Sequence, residues 1–208
     1  MAKSTVETHR ARLRRQPSSP WRAVLKNHLT ELVALDFFPV PTIGFKVLFV
    51  LIVLAHERRK VVPFNVTEHP TTQWTAQQLI EAFPWETAPK CLLRDRDAIY
   101  GEWFQPRVGN LETDRVLRPL RSPWQNPCAE GVIDSIRREY LDHGIVLSDG
   151  HLRQSLAGYF RYYHRRRTHL SVAMDSPEGR PVQPSGQGAV AEFPEVGGFH
   201  HHYERVDA

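Results

Sequence analysis

Residues 122–142, SPWQNPCAEGVIDSIRREYLD, decide how this chain is read. Asn126 is a favourable helix cap, and Pro127 suits the first helical position, where a missing N–H costs nothing. From there Val132, Ile133, Ile136 and Tyr140 recur at helical spacing and predict a helix with one apolar stripe, running to about His143. Glu130 falls in its first turn, roughly a quarter-turn from the middle of that stripe. A carboxylate there borders the buried face and reaches toward whatever sheet the helix covers. Alone, it need do no more than complement the helix dipole, worth about 0.3–1 kcal/mol. Two upstream carboxylates give it a different meaning.

The first is Asp36. It interrupts an apolar stretch, with Val33, Ala34 and Leu35 before it and Phe37 and Phe38 after. Burying a lone ionised acid in a strand core costs several kcal/mol, so Asp36 calls for a partner or a cation. The second is Asp95, just past a short apolar run ending at Leu93, with Asp97 as the rival two residues on.

The elements around these residues predict an α/β domain. Strands are expected at 29–38, ended by Pro39 and Pro41, at 45–55, and at 60–66, where Pro63 implies a sheet edge. Short polar turns between them predict an antiparallel meander. A helix capped by Thr71 or Thr72 runs through Phe83, a short fourth strand covers 90–94, a helix 101–109, and a fifth strand 115–117. The helix bearing Glu130 follows, and another, capped by Ser148, runs to about Arg165 with Leu152, Leu156, Phe160 and Tyr163 on one face. The order β-β-β-α-β-α-β-α-α describes a five-stranded mixed sheet, a three-stranded antiparallel meander plus two further strands, flanked by helices. Residues 1–27 read as a basic arm or linker, 28–180 as the core, and 181–208 as a Pro/Gly-rich, poorly ordered tail. If the first and fourth strands are neighbours, Asp36 and Asp95 stand side by side with Glu130 arriving from the covering helix. Three converging acids repel one another unless cations neutralise them, and oxygen ligands suit Mg²⁺ or Mn²⁺.

Composition agrees with a polyanionic partner. The 208 residues carry a net charge of +4. That charge is concentrated: seven Lys/Arg against one acid lie in the first 26 residues, and Arg161, Arg165, Arg166 and Arg167 lie beside His164. Cys91 and Cys128 are the only cysteines and lack metal-type spacing, which points to a reducing compartment and no disulfide framework. The apolar run Val47–Ala55 is too short to span a bilayer, and the basic N-terminus lacks an apolar core segment. A soluble cytoplasmic protein with no membrane partner is expected.

Four ordered motifs then carry a resemblance: ALDFFPVPT around Asp36, LLRDRDAIYG around Asp95, SPWQNPCAEGVIDSIRRE around Glu130, and the closing YYHRRRTHLSVAMDSP with Tyr163, Arg167, His169 and Pro177. Asp95 and Glu130 stand 35 residues apart. Over residues 28–180 the sequence resembles the catalytic core of the retroviral-type integrase and insertion-sequence transposase superfamily, with its Asp-Asp-Glu triad on an RNase H-like fold. The resemblance implies a DNA transposase or integrase that nicks element ends and transfers strands by metal-dependent phosphoryl transesterification. It implies Asp36, Asp95 and Glu130 as catalytic, metal-binding residues for two Mg²⁺ or Mn²⁺ ions, with Asp97 as a turn residue. Its implied partners are element-end and target DNA, further copies of the chain in a homo-multimer, and a separately encoded helix-turn-helix protein, at a nucleoid-associated location. Trp124, Gln125, Arg137, Arg138, Arg165 and Arg167 are the candidate DNA contacts. Gly131 stands where the family usually has a larger, often basic residue, His164 replaces the usual Asn, and Thr168 the usual Pro. With only about 27 residues before the core, these departures support an alternative: a catalytically decayed, DNA-binding or oligomerising remnant.

Overall fold

The computed structural model describes residues 32–83, 89–93, 115–117 and 127–207, with 115–117 and Pro127 described by backbone alone. The meander is β1 (Leu32–Pro41), β2 (Val47–Ala55) and β3 (Lys60–Thr67), followed by α1 (Thr72–Ala82) and β4 (Cys91–Leu93). β5 (Arg115–Leu117), α2 (Pro127–Glu139) and α3 (Asp149–Arg165) come next, and β6 (Ala189–Glu195) and β7 (His200–Val206) close the chain.

The main sheet has the order β3-β2-β1-β4-β5. β1–β2 and β2–β3 pair antiparallel, and β1–β4 and β4–β5 pair parallel. Four strands build this mixed sheet, and β5 joins β4's far side as a three-residue backbone pairing. The expected five strands are therefore realised unequally, and a separate two-stranded sheet, β6–β7, was not expected. Pro63 lies in β3, at the sheet edge as its missing N–H requires. β1 ends at Pro41, as expected, but Pro39 does not stop it: Pro39 pairs with Phe49 and Pro41 with Val47. Every second N–H of a strand points away from a given neighbour, so two prolines two residues apart can leave that ladder intact.

Strand alternation sends the side chains of β1 to two cores. Val33 and Leu35 meet Ala76, Leu79 and Phe83 of the α1 side, whereas Leu32, Ala34, Phe38 and Val40 join Ala129, Val132, Ile133 and Ile136 of α2 and Leu152, Leu156, Phe160 and Tyr163 of α3. The two helical stripes read from the sequence are thus the buried faces. The caps are also as expected, with Thr71 Oγ accepting from Trp74 N (3.2 Å) and Ser148 Oγ from His151 N (3.2 Å). α2 stops at Glu139, earlier than predicted, and a 3₁₀ turn at Leu141–His143 takes its place. The predicted helix at 101–109 lies outside the described residues.

The tail corrects the sequence reading. β6 and β7 form an antiparallel hairpin around Gly197 and Gly198, both in left-handed backbone that glycine adopts readily. Pro/Gly content hid the alternation in AVAEFPE and HHHYERV that makes the two strands. The hairpin docks on the helices. The His200 ring stacks on Tyr162 (centroids 4.7 Å, 7° between planes), and Nε2 lies 3.0 Å from the Glu139 carbonyl. Arg166 pairs with Glu204.

One half-buried ion pair joins the end of α2 to the segment after α3. Arg167 donates to Glu139 through Nε (2.8 Å) and Nη2 (2.5 Å), and Tyr159 donates to the same carboxylate at 2.9 Å. Burial alone raises the Glu139 carboxyl, but the hydrogen bonds from Arg167 and Tyr159 outweigh it and hold the pKa below the ordinary range. Glu139→Gln is expected to cost roughly 2–3 kcal/mol, because it leaves the Arg167 charge uncompensated. Glu139's contribution is present above the ordinary carboxylate pKa and lost as pH falls through the lowered one. A separate loss should appear at higher pH. His164 Nε2 accepts from Val61 N (3.0 Å), which requires the neutral ring, and its pKa is lowered to about 4, chiefly by burial. Since the folded state excludes this proton, stability should fall between about pH 6.5 and 4. His56 and His169 are lowered to about 4 as well, so His164→Gln should lessen that slope in thermal melts by roughly a third, and Glu139→Gln should change only the part below it.

Candidate nucleic-acid site

Asp36 sits between Ala34 and Phe38 on the face of β1 that α2 covers, and it is half-buried. Its Oδ1 accepts from Phe37 N at 2.8 Å, which fixes the carboxylate against its own strand. β4 runs parallel beside β1, with Leu32 next to Cys91, Val33 next to Leu92 and Ala34 next to Leu93. In-register neighbours face the same way: Cys91 and Leu93 share the α2-side core with Leu32 and Ala34, and Leu92 shares the other core with Val33. Asp95 and Asp97 lie outside the described residues, as do Trp124 and Gln125.

Glu130 is exposed in the first turn of α2, beside buried Ala129. One helical stretch later, the Arg137 guanidinium lies 5.8 Å from the centre of the Phe38 ring. Phe38 is two residues past Asp36 on the same face, so α2 passes over the strand position that carries the acid. Asp36 and Glu130 therefore lie on one side of the sheet.

The candidate DNA-contacting arginines divide by what already occupies them. Arg137 and Arg138 are exposed on α2, with Arg138 4.0 Å from Glu139. Arg165 is exposed and pairs with Glu178 at 3.2 Å. Arg167 spends its donors internally: besides Glu139, it reaches Ser135 Oγ (3.3 Å) and His169 Nδ1 (2.9 Å). The sequence motif that includes Arg167 is here a packing device.

Asp36 and Glu130 offer carboxylate oxygens only, a donor set that fits Mg²⁺ or Mn²⁺ better than a soft ion. Among the described residues no three His, Cys, Asp or Glu side chains gather into a metal-holding group. Cys128 does not change this. It lies in the first turn of α2, where burial raises its pKa, partly opposed by the Arg59 charge, so the thiol stays protonated and is neither nucleophile nor soft ligand.

Arg59 is a residue the sequence reading missed. It lies in the turn between β2 and β3, and its Nη2 stands 3.0 Å from where a Cβ on Gly131 would be. A larger residue after Glu130 would press on this guanidinium and make it shift. The only available signal was the run HERRK at residues 56–60, and charges in a turn are ordinary.

By sequence, no protein-family model matches this chain and no curated protein does. By structure, it is similar to a chain of the simian T-cell lymphotropic virus intasome in complex with PP2A regulatory subunit B56 gamma. That match has a TM-score of 0.57 at 10% identity and covers 84% of this chain and 66% of that one. It is also similar to the catalytic domain of the Mos1 mariner transposase, with a TM-score of 0.55 at 14% identity over 71% of this chain and 84% of that one. The chain thus spans about two thirds of the intasome chain it matches. What it shares with both is the fold: an RNase H-like core of the kind found in integrases and transposases.

Proposed function

We propose that this chain is the catalytic core of a DNA transposase or integrase, with Asp36, Asp95 and Glu130 as its metal-binding carboxylates. The observation that carries this reading is the β1–β4 register. It sets Leu93 beside Ala34 on the α2-side core, and Asp95 and Asp36 each follow that pair by two residues in the sequence. Acids placed independently along the sequence have no reason to follow one paired rung by the same count.

The rest of the reading follows from the chemistry of those groups. Asp36 and Asp95 would each hold a divalent cation, and Glu130, standing in from α2, would complete the oxygen set. Two such ions, when bound, activate the attacking oxygen and neutralise the charge building on the leaving one. Glu130 orients the nucleophile and accepts its proton. A water oxygen would first bond to phosphorus at the element end as the P–O3′ bond breaks, and the departing 3′-oxygen would take up a proton to become a free 3′-hydroxyl. That hydroxyl then attacks a target phosphodiester, so bonds are exchanged without a covalent protein intermediate. The sheet supplies rigid placement of Asp36. Arg137, Arg138 and Arg165, exposed near the same face, are suited to hold the duplex by its phosphates. DNA ends and target, a homo-multimer, a helix-turn-helix partner and a nucleoid-associated cytoplasmic location belong to this proposal. No helix among the described residues is long and apolar enough to cross a membrane.

Gly131, one ground for reading the chain as a decayed copy, is accommodated by the Arg59 guanidinium and is not by itself a sign of decay. The two readings part in one assay. Incubated with Mn²⁺ and labelled element-end DNA, the wild-type protein should give nicked and joined products, and Glu130→Gln should lower them at least about a hundredfold. Equal products from both proteins would remove Glu130 from the mechanism. Binding without cleavage by the wild type would favour the remnant.

A further inference from the structure

Two adjacent arginines in the β2–β3 turn are used in opposite ways. Arg58 spends its donors inside the protein, reaching the Pro177 carbonyl (2.7 Å), the Ser176 carbonyl (2.9 Å) and Asp175 Oδ2 (3.0 Å). It clasps the segment after α3 to the turn. Arg59 has left-handed backbone (φ 57°), which a side chain of this size seldom adopts. That backbone aims it the other way, toward the first turn of α2.

There its guanidinium is half-buried, and no carboxylate of the described residues comes within ion-pair distance of it. Nε is shut away from solvent without a hydrogen-bond partner, and Nη1 has only a long contact of 3.4 Å to Ser171 Oγ. Its surroundings supply no anion. His56 and His169 are each lowered to about 4, first by burial and in part by the Arg59 charge itself, so both stay neutral at physiological pH. The guanidinium also stands at the positive end of the α2 dipole, where a cation is unfavourable. Partial desolvation, a like-signed dipole and the absent counter-charge all cost energy, and an anion in this notch offsets all three.

We infer that the Arg59 guanidinium binds a backbone phosphate of the DNA substrate in the notch between the first turn of α2 and the Leu170–Val172 turn. Gly131 places no side chain beside the guanidinium, and the exposed Ser171 hydroxyl offers a second donor next to it. The planar fork of arginine matches phosphate oxygens, and a contact of this kind ignores base sequence. The inference rests on the proposed function for its substrate. It assigns to a turn far from the acids in sequence the task of holding the strand next to Glu130.

The test is duplex binding against salt, without divalent metal, using a labelled duplex of arbitrary sequence. Losing one phosphate contact should lower the magnitude of the slope of log affinity on log salt by about one. Arg59→Gln is expected to do so and to weaken binding several-fold at low salt, whereas Arg59→Lys should keep most of the slope. A merely structural role would lower the melting temperature and leave the slope alone. If Arg59→Gln melts early, Gly131→Leu fills the same notch from the other side and should give the same drop. A wild-type slope in either folded variant overturns the inference. Nicking assays with Glu130→Gln alongside keep the two readings apart. A lost slope unit with no nicking by any protein sinks the proposed function and leaves the phosphate contact standing. Nicking that survives with the slope unchanged does the reverse, and a wild type that binds no duplex overturns both.

Discussion

The structure depends on three residues of parallel pairing, Leu32–Ala34 against Cys91–Leu93. An antiparallel meander by itself presents β1 at a sheet edge, with unsatisfied backbone groups and an acid in the middle of an apolar strand. Docking β4 alongside moves β1 into the interior of the sheet and completes a two-sided environment for it. The parity of that pairing matters as much as its existence. A slip of one residue would turn Leu93 away from the α2-side core and exchange the faces of every residue after it. Cys91 and Leu93 are buried with Leu32 and Ala34, so hydrophobic burial fixes the parity.

Much of this was legible in the sequence because it is written in periodicities of two and three to four. The meander, the edge position of β3, the buried stripes of α2 and α3 and the caps at Thr71 and Ser148 all follow from local pattern. What escaped was written otherwise. Pro39 looks like a terminator, yet the β1–β2 ladder runs through it and stops only at Pro41. The β6–β7 hairpin was masked by the proline and glycine of its approach, although its own residues alternate and a Gly-Gly pair marks its turn. Arg167 reads as a phosphate contact in the closing motif, and only three-dimensional contact shows that Glu139, Ser135 and His169 already claim it. Of the site, Asp36 and Glu130 announced themselves as acids bordering apolar sequence. Arg59 could not, because what sets it apart is the lack of a partner.

Charge in this protein is sorted by depth. Surface pairs such as Lys46 with Glu68 are ordinary and contribute little. The arginines around the site are treated individually: exposed Arg58 and half-buried Arg167 are neutralised by acceptors from distant segments, and half-buried Arg59 has no acid within ion-pair distance among the described residues. The histidines around them are kept neutral by burial, so they neither compete for acids nor add to the positive field. Among the described residues, Arg59 stands beside the helix bearing Glu130 with no acid within ion-pair distance, and the proposed phosphate contact would supply the missing negative charge.

The docked hairpin extends the working core past the point where composition seemed to end it. His200 covers the Tyr162 ring and caps the Glu139 carbonyl at the far end of the helix whose opening turn holds Glu130. Chain added after residue 180 therefore acts as a buttress on α2, and the mechanical boundary of the domain lies beyond residue 200. Trimming the protein at its proline-rich approach would strip an aromatic ring and the final carbonyls of α2 at once, loosening from behind the rod that presents the acid in front.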